Sequence, residues 1–179
     1  MHKVGNSDVL FDKIRQIQVL LLDVDGVLTD GSIIYGDNGL EIKPFHVRDG
    51  LGIKLLIRAG IKVGIVTGRC SDALHQRTRE LGIDYVYDGV GNKGALLEQI
   101  VSQTGVEARH MAFIGDDLPD LSLMNRIGLP IAVADAHPAV IKTAEITTTC
   151  KGGKGAVREI CEMILDARGV WVNILKYYA

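Results

Sequence analysis

The sequence has few cysteines, little net charge and no long apolar run, and each shortage excludes a class of protein. Cys70, Cys150 and Cys161 are scattered, without the paired spacing of a zinc site or a disulfide framework, which fits a reduced cytoplasmic setting. A formal net charge of −2 carries no polyanion-binding signature, so nucleic acid is not expected as a partner. Residues 1–18 include Asp8, Asp12, Lys13 and Arg15, which leaves no apolar signal core and no membrane span. Internal repeats and low-complexity linkers are missing too, and 179 residues are too few for two ordinary domains. A single domain over residues 1–179 is expected.

What is present is a normal globular balance, 47% hydrophobic and 23% charged, which argues against disorder. Short apolar runs alternate with longer segments of 3.6-residue periodicity. Strands are expected at 19–24, 61–66, 85–87, 111–114 and 131–133, with a weak one at 146–148. Helices are expected near 50–59, 71–82, 92–103, 118–127, 137–143 and 155–167. That alternation reads as an α/β fold, a doubly wound, Rossmann-like parallel sheet covered by helices on both faces. Val9, Leu10, Ile14 and Ile17 mark a short amphipathic helix ahead of it. One segment, 32–47, departs from the pattern: two apolar arms flank Gly36-Asp37-Asn38-Gly39, a turn-rich quartet suited to a β-hairpin inserted after the first strand.

In open α/β sheets, ligands bind beyond the carboxyl ends of the strands. There the first strand runs into Asp23-Val24-Asp25-Gly26, the second into Thr67-Gly68-Arg69 and the fourth into Gly115-Asp116-Asp117, while Lys93 opens the helix after the third. Singly, Thr67, Asn92 or Asp117 reads as a helix N-cap and Lys93 as a solvated lysine. Asp23 does not reduce so easily, because it follows four apolar residues, and a carboxylate there costs stability unless a cation or hydrogen bonds compensate. Asp116 and Asp117 repeat the problem after another apolar strand. A bound cation resolves both, and hard oxygen ligands point to Mg²⁺.

Four segments resemble the motifs of haloacid dehalogenase-type phosphatases, in that superfamily's order. They are residues 22–30 around Asp23 and Asp25, Val66-Thr67-Gly68-Arg69, Asn92-Lys93, and residues 115–120. The resemblance implies Asp23 as nucleophile, Asp25 as acid–base partner, and Thr67 and Lys93 as ligands of the phosphoryl group. It implies Mg²⁺ held by Asp23, the carbonyl of Asp25 and Asp116, with Asp117 or Asp120 in support. Receiver domains of two-component signalling carry similar groups in a different order, the acidic pair coming before the phosphorylated aspartate. A regulatory or binding domain that keeps the fold is the non-enzyme alternative.

No cap domain fits between these motifs, and over its whole length the chain resembles the capless 3-deoxy-D-manno-octulosonate 8-phosphate phosphatases of lipopolysaccharide synthesis. The stretches that carry this are 45–50, 115–120, 133–138 and 152–159. The resemblance implies a sugar-acid phosphate as substrate and a homotetramer whose hairpins assemble together, with a neighbour's tail near the active site. The tail here, 168–179, holds Val170, Trp171, Val172, Ile174, Leu175, Tyr177 and Tyr178, too much apolar surface to stay solvated. Arg69 is basic as in the octulosonate enzymes, suits a sugar carboxylate, and Arg77 and Arg48 join it as substrate-binding candidates. Related phosphatases of nine-carbon keto-sugar acids, acidic at the Arg69 position, are the alternative. The glycines of 152–155 suggest a mobile loop over an anionic ligand. His46 and His137 are expected to be structural.

Overall fold

The structure, a computed structural model, describes residues 5–179. Six strands, β1 (Val19–Leu22), β4 (Lys62–Val66), β5 (Tyr85–Tyr87), β6 (Met111–Gly115), β7 (Leu129–Ala132) and β8 (Ile146–Thr147), form one sheet. Their order is β5-β4-β1-β6-β7-β8 and every pairing is parallel. The chain winds outward from β1 in one direction, returns beside it at β6 and winds outward in the other. This doubly wound order opens a crevice at the carboxyl end of β1, where it changes direction.

All four residues of β1 are buried, as a central parallel strand covered on both faces requires. The helices that cover the sheet are α1 (Gly5–Gln16), α2 (Val47–Arg58), α3 (Asp72–Leu81), α4 (Leu97–Thr104), α5 (Leu121–Met124), α6 (Pro138–Thr143), α7 (Ala156–Ala167) and α8 (Trp171–Tyr178). Among these, α1, α2 and α7 pack together. Ile14 of α1 and Ile17 just after it are buried, whereas Val9 of the same stripe stays exposed.

Element bounds differ from expectation where polar groups interrupt the ladder. β1 ends at Leu22 because the carbonyl of Val24 accepts the N–H groups of Val27, Leu28 and Thr29, folding the chain into a tight loop. The expected helix at 92–103 begins as a 3₁₀ turn, Lys93–Leu96, and the one at 118–127 as Leu118–Asp120, with Pro119 in its first turn. Only two residues pair on each arm of the hairpin, β2 (Ile34–Tyr35) and β3 (Glu41–Ile42), and Val47 already belongs to α2.

In the glycine stretch 152–155, expected as a mobile loop, Gly152 and Gly153 form a packed buttress. Gly152 and Gly153 are buried against the loop after β1: Gly153 N–H donates to Val27 O at 2.9 Å, and Gly152 N–H to an Asp135 carboxylate oxygen at 3.0 Å. A Cβ at Gly152 would lie 1.7 Å from the carbonyl oxygen of Gly26. Buried Asp49 of α2 then receives the Arg158 N–H at 2.7 Å and ties the start of α7 to the same region. The tail forms α8, with Val170, Trp171 and Ile174 against the core and the Arg158 guanidinium 5.5 Å from the centre of the Trp171 ring.

Because a Cβ at Gly152 would meet only the backbone of Gly26 and Val27, Gly152→Ala has no flexible group to displace. We predict a loss of about 1–3 kcal/mol of stability in urea unfolding, the usual range for overpacking. An unchanged midpoint would show that the loop yields freely.

Candidate active site

Each strand end delivers one part of the site. Asp23 continues β1 by donating its N–H to Ile114 O at 3.0 Å, which sets its side chain at the crevice with only 6% of its surface exposed. Thr67 continues β4 through its N–H to Tyr87 O at 2.9 Å and is buried. Lys93 opens the turn after β5, and its Nζ reaches Asp23 Oδ1 at 2.6 Å and Asp120 Oδ1 at 2.5 Å. The other oxygen of Asp120 accepts the N–H groups of Asp116 and Asp117, at 2.8 and 3.2 Å. Asp23, Asp116 and Asp120 thus offer carboxylate oxygens within 4.8 Å of one another. At Gly26 the backbone is left-handed (φ +98°), and a Cβ would meet Asp116 Oδ2 at 2.1 Å, so only glycine lets this loop close on the cluster.

Asp23, Thr67, Lys93, Asp116 and Asp120 line a cavity of about 370 Å³ together with Asp25, Arg69 and Asp117. Arg77 and Arg48 lie outside it. Arg77 bonds Glu80 at 3.3 Å and sits 5.9 Å from the Phe45 ring centre, whereas Arg48 is exposed on α2. Asn92 and Asp117 do act as caps, accepting from Ala95 N–H at 3.4 Å and Leu118 N–H at 2.8 Å. His137 caps α6 through Nδ1, in keeping with a structural role.

Two groups escaped the sequence reading. Lys43 and Glu41 reach the site from the hairpin: Lys43 Nζ pairs with Asp25 Oδ1 and lies 3.4 Å from Glu41, which accepts from Arg69 at 2.9 Å. Their signal was the alternation Leu40-Glu41-Ile42-Lys43, which puts two charges on one face of a strand and two apolar residues on the other. The register agrees, since Ile34 pairs with Ile42 and Tyr35 with Glu41.

The charge balance is uneven, with three carboxylates beside one ammonium. Burial pushes Asp23 up to about 6 despite Lys93, and Asp120 adds repulsion. Burial likewise raises Asp116 to about 8, with Asp23 and Asp120 repelling its charge. Although burial opposes its charge, Lys93 is held above the usual lysine range by Asp23 and Asp120. A carboxylate cluster with this much unmet negative charge fits a divalent cation with oxygen preference.

Comparison with known proteins agrees with this chemistry. Residues 86–160 match the family model of haloacid dehalogenase-like hydrolases. The 3-deoxy-D-manno-octulosonate 8-phosphate phosphatase of Escherichia coli (strain K12) is 44% identical over 164 residues, spanning 92% of this chain and 87% of that protein. The chain belongs to this phosphatase family. A crystal structure of the Moraxella catarrhalis phosphatase, in complex with a magnesium ion, a phosphate ion and a KDO molecule, is 38% identical with a TM-score of 0.93. That match covers 96% of this chain and 99% of the other. The cobalt-bound Haemophilus influenzae phosphatase is 44% identical with a TM-score of 0.86, covering 89% of this chain and 93% of its own. As in a capless phosphatase, no cap domain intervenes between the strand ends among the described residues.

The raised carboxylates make a prediction for the metal-free protein. Asp23 and Asp116 keep protons when folded that the unfolded chain releases above the ordinary aspartate value of 3.8. Folding stability therefore falls as pH rises above 3.8, the Asp23 share being lost by about 6 and the Asp116 share by about 8, while Mg²⁺ offsets the loss. Melting temperatures in chelator should decline over that range, and the rise produced by Mg²⁺ should be larger at pH 8 than at pH 5. A Mg²⁺ effect that is flat with pH would contradict this reading.

Proposed function

We propose that the chain hydrolyses 3-deoxy-D-manno-octulosonate 8-phosphate to the free sugar acid and phosphate, in the cytoplasm, as a step of lipopolysaccharide precursor synthesis. The observation that carries this reading is the buried Asp23–Lys93–Asp120 chain beside Asp116 and Thr67, in a protein 44% identical to a phosphatase of that substrate.

Asp23 attacks phosphorus in line and becomes an aspartyl-phosphate. Asp25 gives a proton to the departing sugar oxygen, then takes one from the water that releases phosphate. Thr67 and Lys93 hold the phosphoryl oxygens, with Lys93 oriented beforehand by Asp120. Mg²⁺, held by Asp23, Asp116 and the Asp25 carbonyl with Asp117 and Asp120 in support, supplies neutralising charge for those oxygens. Phosphate-monoester hydrolysis needs accelerations of up to about 10²¹, which explains so dense an electrostatic site. Arg69 lines the cavity and presents a guanidinium suited to the sugar carboxylate, which favours the eight-carbon acid over the nine-carbon alternative.

Assembly as a homotetramer completes the reading. The outer face of the hairpin exposes Ile34, Leu40 and Ile42, an apolar surface that a neighbouring hairpin would cover. Within one chain, α8 packs beside Leu55, Arg58 and Ala59, at the end of the sheet opposite the crevice. A tail that closes a site therefore closes a neighbour's.

Asp23→Asn should lose at least about 10³-fold in turnover of the octulosonate phosphate, because the nucleophile is gone. Turnover unchanged by the substitution would rule out Asp23 as the nucleophile, and no turnover by the wild-type protein would favour a binding module. Removal of residues 172–179, which spares Trp171, should cut kcat/KM about tenfold or more if the tail serves a neighbour. Unchanged kinetics, or a monomer in light scattering, would contradict the assembly.

A further inference from the structure

The hairpin presents its polar face to Asp25, and this contact has no role in the chemistry described so far. Lys43 is buried, with 2% of its side chain exposed, and pairs with Asp25 Oδ1. Burying an ammonium is costly unless it is paired, so the pair fixes both groups. Glu41 completes the frame by facing Lys43 at 3.4 Å and accepting from Arg69 at 2.9 Å, while Arg69 Nε lies 3.7 Å from Asp25 Oδ2. Asp25 Oδ2 itself is buried without a hydrogen-bond partner. One oxygen of Asp25 is therefore tethered, while the other faces Arg69 and accepts no hydrogen bond.

We propose that Lys43 is a positioning residue for proton transfer: it anchors Oδ1 of Asp25 so that Oδ2 is the oxygen that exchanges protons with the leaving group and then with water. The inference rests on the phosphatase reading above. Oδ2–H passes its proton to the bridging oxygen as that P–O bond breaks and the Asp23–phosphorus bond forms. Oδ2 next takes a proton from water as the water oxygen bonds to phosphorus and the Asp23–phosphorus bond breaks. Without Lys43 the carboxylate is free to turn, and both transfers lose their alignment.

Leaving-group dependence separates this role from a merely structural one. A sugar alkoxide needs the proton to depart, whereas p-nitrophenolate leaves without it. In Lys43→Met, kcat/KM for octulosonate 8-phosphate should fall about 10²-fold, the usual share of general acid catalysis. For p-nitrophenyl phosphate, kcat/KM should change less than about tenfold. Slow dephosphorylation should also produce a pre-steady-state burst of about one nitrophenolate per site, absent in the wild type. Lys43→Arg should restore the alkyl-phosphate rate to within about tenfold, and Lys43→Gln replaces the Met variant if that does not fold. The melting shift produced by Mg²⁺ should match the wild type. Equal losses on both substrates without a burst, or no loss on either, would overturn the proposal. Wild-type protein that hydrolyses neither ester would instead overturn the phosphatase reading itself.

Discussion

Asp23, Asp116 and Asp120 converge at the edge of an apolar sheet with the ammonium of Lys93 between two of them, and the surrounding structure is arranged around that concentration of charge. Such a cluster costs stability where it stands, because desolvation and mutual repulsion both oppose ionisation. The fold tolerates it through a long, fully buried sheet core that includes the whole of β1, Ile65, Val66, Phe113 and Ile114. Backbone donors meet part of the remaining demand: the Asp116 and Asp117 N–H groups satisfy one oxygen of Asp120, so that its other oxygen is committed to Lys93. What the protein leaves unmet is the charge that a divalent cation and a phosphoryl group would share.

The glycine contacts follow from the same constraint. Gly26 has to pass within reach of Asp116, and Gly152 has to press on Gly26 from behind, so the loop carrying Asp25 is held between the cluster and the 152–155 turn. Asp49 anchors α7 beyond that turn. Rigidity at the loop is what a site requires when its catalytic carboxyl must meet two different partners in succession.

Much of this was legible in the sequence because strand ends in a parallel sheet are predictable from apolar runs, and the polar residues after those runs share one rim. Asp23, Thr67, Lys93 and Asp116 were placed on that rim in this way, and the structure brings them together around one cavity. Asp120 was expected in support, but its bond to Lys93 depends on a 3₁₀ turn whose direction no periodicity reveals. Lys43 and Glu41 were missed because they lie in an insertion, where the alternation tells which residues share a face but not what that face meets. Arg77 and Arg48 were drawn in by resemblance, and helix geometry sets both outside the cavity of this chain. Glycines at 152–155 suggested mobility, yet Gly152 and Gly153 serve close packing, which looks the same in sequence.

Burial and mutual repulsion raise the Asp23 and Asp116 carboxyls, so a cation that binds the cluster should displace protons, and proton release on Mg²⁺ binding tests this directly. Calorimetric titration at pH 7 in buffers of different ionisation enthalpy should give a binding heat that varies with the buffer, corresponding to release of about one proton per Mg²⁺ bound. A heat independent of buffer would mean that the cluster is already ionised without metal, and would contradict the electrostatic basis proposed for the site.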